Sequence, residues 1–301
     1  MSSPRPLAPG TWVTGKWTSR RWRVRGVLGT GANGIVYAVE RDDGLPGAMK
    51  VCATAGQVAF EWSLLNLVRG PGSPFPAPQQ IDDSDLPGAR FFYVMERISG
   101  RPLDSVWPHL APARRKDVMQ RIVDGLAKLH ATGHAFCDVK PQNVLVQEAS
   151  GEVRFVDPGG VTPFGKAVRQ FTPTTDGAFF GLCDRRASAA YDVVAVALMA
   201  VSLDAPWPPH LYELPPERRQ EVLRAMMADK VDAAWRPVWN RVFRKEIRDA
   251  ASLGAAIADI RVKTHAAKGG ERDWTAAFMW ASVAGAVIST ACAWALYLRL
   301  I

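Results

Sequence analysis

Four short motifs in a fixed order restrict what this sequence can fold into. They are Gly29-Thr30-Gly31-Ala32-Asn33-Gly34-Ile35-Val36, Ala48-Met49-Lys50, Asp138-Val139-Lys140-Pro141-Gln142-Asn143 and Asp157-Pro158-Gly159. A lone G-x-G-x-x-G arises by chance in a chain with 25 glycines, so its context decides what it means. Residues 22–27 alternate into the glycines and residues 35–39 supply a second β-type run, which makes the glycines a hairpin turn between strands. A dinucleotide-binding loop would open into a helix, and a Walker A loop would end in Gly-Lys-Ser or Gly-Lys-Thr. Neither continuation is present.

A third strand carries Ala48, Lys50 and Val51. Residues 57–68 place Phe60, Leu64, Leu65 and Val68 at helical spacing, with Glu61 among them. The Pro- and Gly-rich stretch 69–90 has room for loop and a short strand, and 91–96 reads as a buried strand closed by Ser99-Gly100. Beyond about Arg101 the pattern turns helical. Residues 116–131 carry Val118, Ile122, Leu126 and Leu129 on one face. The runs 144–146 and 153–156 flank Ala149-Ser150-Gly151 as a hairpin that brings Asp157 beside Asn143. Residues 191–203 are nearly all apolar but too short to cross a bilayer, so they predict a buried helix. Amphipathic helices over 215–230 and 239–260 complete the domain.

With 48% hydrophobic and 22% charged residues the chain can bury a core. Its net charge of +8 suits nucleic acid, an anionic membrane or a polyanionic ligand and selects none of them. Cys52, Cys137, Cys183 and Cys292 form no C-x-x-C pair, which points to reduced thiols. Residues 276–298 form an uncharged run long enough to span a hydrocarbon core, interrupted only by Ser282, Ser289 and Thr290. Trp274, Trp280, Trp294 and Tyr297 lie toward its ends, as interfacial aromatics do. Arg261, Lys263, Lys268 and Arg272 precede it and only Arg299 follows, so the N-terminal bulk is expected in the cytoplasm. The expectation is a single-pass cell-membrane anchor behind a basic juxtamembrane linker (263–275), with no leader peptide and no external domain. Ala281, Gly285, Ser289 and Ala293 recur every four residues, a stripe suited to a homodimer. The basic flank is expected to meet anionic headgroups, and no nucleic-acid motif appears.

On its four motifs the chain resembles the eukaryotic-like serine/threonine protein kinases over roughly residues 22–260. That resemblance implies an α+β, two-lobed fold over 21–262, with a flexible tail over 1–20, a β-rich N-lobe over 21–98 and a helical C-lobe over 99–262. It implies protein substrates, phosphoryl transfer to serine or threonine hydroxyls, and ATP with Mg2+ (or Mn2+) as cofactors. Gly29, Thr30, Gly31, Ala32, Asn33 and Gly34 would cover the phosphates. Val36 and Ala48 would cover one adenine face and Leu145 the other. Met95 would guard the back pocket, and the backbone of Glu96 and Ile98 would bond adenine. Lys50 would contact the α- and β-phosphates with Glu61 as its ion-pair partner, while Leu65 and Phe136 would join the packed regulatory stack. Asp138 would accept the substrate proton, Lys140 would meet the γ-phosphate, and Asn143 and Asp157 would hold the metal. Asp192 would tie the catalytic loop to the C-lobe.

The departures from that pattern concern control. Phe136-Cys137-Asp138 stands where the family has His-Arg-Asp, which removes the arginine that grips a phosphorylated loop. Pro158 replaces a phenylalanine, leaving no ring to swing. No Ala-Pro-Glu follows; the segment reads Thr172-Pro173-Thr174-Thr175-Asp176-Gly177-Ala178-Phe179-Phe180, with Thr172, Thr174 and Thr175 as autophosphorylation acceptors. Two other readings stay open. A pseudokinase scaffold would have no chemical need for Lys50, Glu61, Asp138, Lys140, Asn143 and Asp157 together. A small-molecule or lipid kinase fits the missing Ala-Pro-Glu but not Lys140.

Overall fold

A computed structural model describes residues 6–31, 33–147 and 149–261. Ala32 and the stretch 262–301, with the expected span and its small-residue stripe, lie outside the described residues. Among the described residues no helix is long and apolar enough to cross a membrane.

The N-lobe comprises β1 (Trp12–Thr14), β2 (Arg21–Gly31), β3 (Gly34–Arg41), β4 (Pro46–Cys52), α1 (Ala55–Val68), β5 (Pro78–Asp83) and β6 (Phe91–Glu96). Its strands form an antiparallel sheet in the order β1-β2-β3-β4-β6-β5. Alternation in β2 sets the faces: Trp22 and Val24 are buried, whereas Arg21, Arg23 and Arg25 are exposed. Within the stretch 1–20, expected as a flexible tail, Trp12–Thr14 form β1. Val13 pairs with Trp22 and is fully buried beside it, so the strand gains an apolar anchor as well as ladder hydrogen bonds. Helix α1 starts where the Thr54 hydroxyl accepts from the Gln57 N–H at 3.2 Å, and it turns Val58, Glu61, Leu64, Leu65 and Val68 inward.

The C-lobe runs through β7 (Arg101–Pro102), α2 (Leu103–Val106), α3 (Pro112–His130), β8 (His134–Ala135), β9 (Val144–Val146), β10 (Val153–Phe155), β11 (Thr162–Pro163), α4 (Ala189–Asp204), α5 (Pro216–Asp229), α6 (Arg236–Phe243) and α7 (Ala250–Ala258). Every residue of α4 from Tyr191 to Val201 is buried, which explains its unbroken apolar run. The expected stripe of α3 is buried, with Met119 and Val123 added to it. Leu64 and Val68 of α1 join the C-lobe core with Phe75, Phe136 and Phe155. Leu65 packs apart from them, with Ala48, Tyr93 and Met95. The two residues expected in one regulatory stack, Leu65 and Phe136, therefore sit in different apolar clusters. Phe136 stacks on Phe155 at 5.1 Å between ring centroids and meets Phe75 edge-on at 5.2 Å.

Candidate active site

The glycine hairpin is the β2–β3 turn, with Gly29 opposite Val36, Thr30 opposite Ile35 and Gly31 opposite Gly34. Gly34 has φ of 130°, and a Cβ there would lie 2.1 Å from the Val51 carbonyl oxygen, so no other residue fits. Gly29 and Gly31 face open space, which leaves their backbone approachable from outside. The turn is also tied down: the Gln57 side-chain amide on α1 donates to the Asn33 carbonyl at 2.9 Å. Sequence reasoning passed over Gln57, because nothing in the linear pattern shows that α1 begins beneath the loop.

Strand pairing places Lys50 opposite Val36 on one side and Tyr93 on the other. Lys50 is only 4% exposed, and its ammonium reaches two carboxylates, Glu61 Oε2 at 2.6 Å and Asp157 Oδ1 at 3.1 Å. Burial opposes the charge on Lys50, but Asp157 and Glu61 together outweigh it and hold the pKa above the ordinary lysine value. Glu61 is 2% exposed and also accepts from the Tyr93 hydroxyl at 2.8 Å. Burial, then the Glu61 anion, pushes the Tyr93 phenol well above its usual range, so the phenol stays a donor. Tyr93 is a supporting residue that only the strand register reveals.

Lys140, Asn143 and Thr172 converge on Asp138, which is buried. Its Oδ2 accepts from Lys140 Nζ at 2.7 Å and from Asn143 Nδ2 at 3.0 Å, and its Oδ1 accepts from the Thr172 hydroxyl at 2.9 Å. Asn143 Nδ2 also donates to the Asp138 carbonyl at 2.9 Å. Both contacts use the amide nitrogen, so the side-chain oxygen is the atom left to face a ligand. The Val156 N–H donates to the Asn143 carbonyl at 2.9 Å, and Asp157 follows beside it as the hairpin pattern anticipated. Asp157 adopts φ of 58° and caps the short turn Pro158–Gly160. Its Oδ1 serves Lys50 and the Gly159 N–H, which leaves Oδ2 open. Asn143 and Asp157 thus offer two hard oxygens to a metal. Asp192 is fully buried and accepts from the Phe136 N–H at 2.7 Å, the Cys137 N–H at 2.8 Å and the His130 ring at 2.9 Å. These bonds hold Cys137 at φ of 64°, a left-handed conformation that bends the chain just before Asp138.

Val36 packs against the cluster of Ala48 and Met95. Leu145 turns the other way from buried Val144 and Val146 on β9. Of Glu96 and Ile98, expected to bond adenine through backbone, Glu96 has its N–H engaged by the Ala77 carbonyl at 2.8 Å. The Glu96 carboxylate is gripped by Arg154 at 2.9 and 3.1 Å, which braces the inter-lobe strand from behind.

The segment after Asp157 carries residues whose roles were not legible in sequence. Asp176 is buried and accepts from Arg185 Nε at 2.7 Å, the Tyr191 hydroxyl at 2.9 Å and the Ala178 N–H at 3.0 Å. From α5, Arg219 donates to the Phe179 carbonyl at 2.7 Å and Gln220 to that of Phe180 at 3.0 Å. These bonds secure the stretch that lacks Ala-Pro-Glu. Thr175, expected among the phosphorylation acceptors, is buried with its hydroxyl turned to the Thr172 carbonyl at 3.3 Å. A buried hydroxyl cannot reach a phosphoryl donor, so Thr175 drops out as an acceptor in this conformation.

Comparison with known proteins agrees with this geometry. The protein kinase domain family matches residues 22–180. The serine/threonine-protein kinase YabT of Bacillus subtilis (strain 168) is 33% identical over 201 residues, which cover 65% of this chain and 59% of that protein. The serine/threonine-protein kinase pkn2 of Myxococcus xanthus is 34% identical over 166 residues, covering 51% and 19% respectively. The chain therefore spans less than two thirds of the length of these relatives. The structure of vaccinia related kinase 3 shares the fold, with a TM-score of 0.61 at 14% identity, covering 84% of this chain and 90% of that one.

Proposed function

The chain belongs to the protein kinase domain family, and on that premise we propose that it transfers the γ-phosphoryl group of ATP to serine or threonine hydroxyls of protein substrates. One observation carries this reading. Asp138 accepts a hydrogen bond from an alcohol, the Thr172 hydroxyl at 2.9 Å, while Lys140 lies 2.7 Å from its other oxygen. A general base must make that contact with its nucleophile. Bound ATP with Mg2+, or Mn2+ in its place, supplies the phosphoryl group and neutralises its charge. Asn143 and Asp157 fit the metal because their free atoms are hard oxygens. Lys50, fixed between Glu61 and Asp157, presents an ammonium to the phosphates from a water-poor site. Gly29 and Gly31 let the backbone close over them. Lys140 offsets negative charge in a loose transition state, and Asp138 orients the hydroxyl and takes its proton.

The same proposal places the activity at the cytoplasmic face of the cell membrane, with 276–298 as a single-pass anchor and the stripe Ala281, Gly285, Ser289 and Ala293 as a homodimer contact. Its support is the uncharged run, the basic flank and the spacing of small residues. Incubation of the full chain with labelled ATP and Mg2+ tests the chemistry. Label on protein that vanishes in Asp138→Asn supports it; ATP binding without transfer to any protein overturns it in favour of a nucleotide-binding scaffold. Membrane fractionation of the full chain beside a chain ending at Lys268 tests the anchor, which fails if both remain soluble.

A further inference from the structure

The turn between β1 and β2 is held more firmly than a solvent-exposed turn requires. Asp82 on β5 is buried and accepts from the Trp17 N–H at 2.9 Å, the Thr18 N–H at 3.0 Å and the Thr18 hydroxyl at 2.6 Å. Gln80, also buried, donates to Asp82 at 3.1 Å and to the Thr18 hydroxyl at 2.8 Å, and accepts from the Trp22 indole at 2.9 Å. The Lys16 N–H donates to the Asp83 carbonyl at 2.8 Å and the Gly15 N–H to the Arg20 carbonyl at 2.9 Å. Gly15 is required here, since a Cβ would lie 2.2 Å from Asp82 Oδ2.

What this frame displays is an indole in water. Trp17 is 75% exposed, the most exposed of the large hydrophobic side chains in the described residues. Arg20 lies on the same turn, Arg21 and Arg23 follow on the exposed face of β2, and none of the three is paired with a carboxylate among the described residues. Arg21 stacks over the second exposed indole, Trp12, at 4.7 Å. The neighbouring cations Lys16 and Arg25 are already neutralised, by Asp85 and Glu40. An exposed indole on a firmly held turn, next to a strand face that carries arginines, matches a headgroup layer, where tryptophan settles at the interface and arginine meets lipid phosphate. Because the frame is preorganised, docking orders little that was free before.

We propose that this face of the N-lobe, Trp12, Trp17, Arg20, Arg21 and Arg23, docks on the surface of an anionic phospholipid bilayer. The choice of a bilayer rests on the proposed membrane anchor at 276–298.

Full-length chain reconstituted in nanodiscs containing a lipid with a photoreactive headgroup tests both separately. Cross-linked peptides are mapped in neutral phosphatidylcholine discs and in discs with added phosphatidylglycerol. Cross-links within 12–25 that rise about tenfold in anionic discs, and fall to the neutral level in the Arg20→Gln, Arg21→Gln, Arg23→Gln triple variant, support docking. Trp17→Ala should weaken them while leaving ATP binding as in the wild type. Cross-links within 276–298 report the anchor independently. Their presence without any within 12–25 in anionic discs overturns docking and leaves the anchor standing; the reverse pattern overturns the anchor alone. Binding of a single-stranded oligonucleotide that is lost in the triple variant, with no lipid cross-link at 12–25, also overturns the proposal and assigns the face to nucleic acid.

Discussion

Arg185 donates to the buried carboxylate of Asp176 at 2.7 Å and lays its guanidinium 4.2 Å over the ring of Phe171. Phe171 immediately precedes Thr172, whose hydroxyl meets Asp138. One side chain thus links the anchored end of the segment to the residue that touches Asp138. This linkage lies in a chain with Cys137 where an arginine would grip a phosphorylated loop, so structure built into the segment can hold what phosphorylation would otherwise order.

Arg185→Met removes both contacts and leaves Asp176 buried with one fewer donor. We predict a fall in kcat of roughly tenfold, about 1.4 kcal/mol of transition-state stabilisation. KM for ATP should be unchanged, because the contacts of Arg185 are with Asp176 and Phe171 rather than with Lys50 or the glycine hairpin. Arg185→Lys keeps the charge, loses the flat stack and should fall between the two. Steady-state kinetics with a peptide substrate reads the order; equal rates in all three proteins would remove Arg185 from the mechanism.

Thr172→Val deletes the hydroxyl that aligns Asp138 at nearly constant volume. The expected loss in kcat is on the order of tenfold, with Thr172→Ser close to wild type, since a neutral hydrogen bond contributes about 1 kcal/mol. Dephosphorylated protein should keep the wild-type rate. A rate that depends on phosphate at Thr172 or Thr174 would contradict both expectations.

The pairing of Lys50 with Asp157 and Glu61 carries a pH signature. Its folded pKa is raised, so the native state keeps the proton that an unfolded lysine would lose. The stabilisation is therefore fully present below the unfolded value of about 10.4 and is lost as pH rises through the folded value. Urea unfolding of wild type and Lys50→Met should show a constant stability difference between about pH 6 and pH 9 that shrinks above about pH 10.4. A difference that grows in alkali would show that the pair does not hold the proton.

Gly160→Ala tests the space behind the catalytic loop. A Cβ there would lie 2.7 Å from the Phe136 carbonyl oxygen and 3.0 Å from Asp138 Cβ, against backbone that Asp192 holds in place. The expected cost is about 1–3 kcal/mol of stability and at least a tenfold loss of kcat, because Asp138 must move. Gly56→Ala, in the first turn of α1 with nothing within 4 Å, should be neutral or slightly stabilising. Thermal melts of the two variants compare them directly.

The glycine hairpin, the strand at 91–96, the core stripe of α3 and the buried run in α4 were legible because each depends on periodicity or on residues a few positions apart. Of the six residues that the family resemblance implied, the structure brings Lys50 to Glu61 and Asp157, and Lys140 and Asn143 to Asp138. β1 was not legible: three residues carry no period, and the strand exists only because β2 is there to pair with it. Tyr93 under Glu61, Gln57 under Asn33 and Arg154 behind Glu96 join positions 32, 24 and 58 apart, set by strand register and lobe packing. The sequence alone determined which atoms are available for chemistry. Tertiary structure decided how those atoms are held, by Asp192 under the catalytic loop and by Asp176 with Arg185 under the segment beyond it. The physical reason is that a buried carboxylate takes its role from the donors around it, and those donors meet only when the chain has folded.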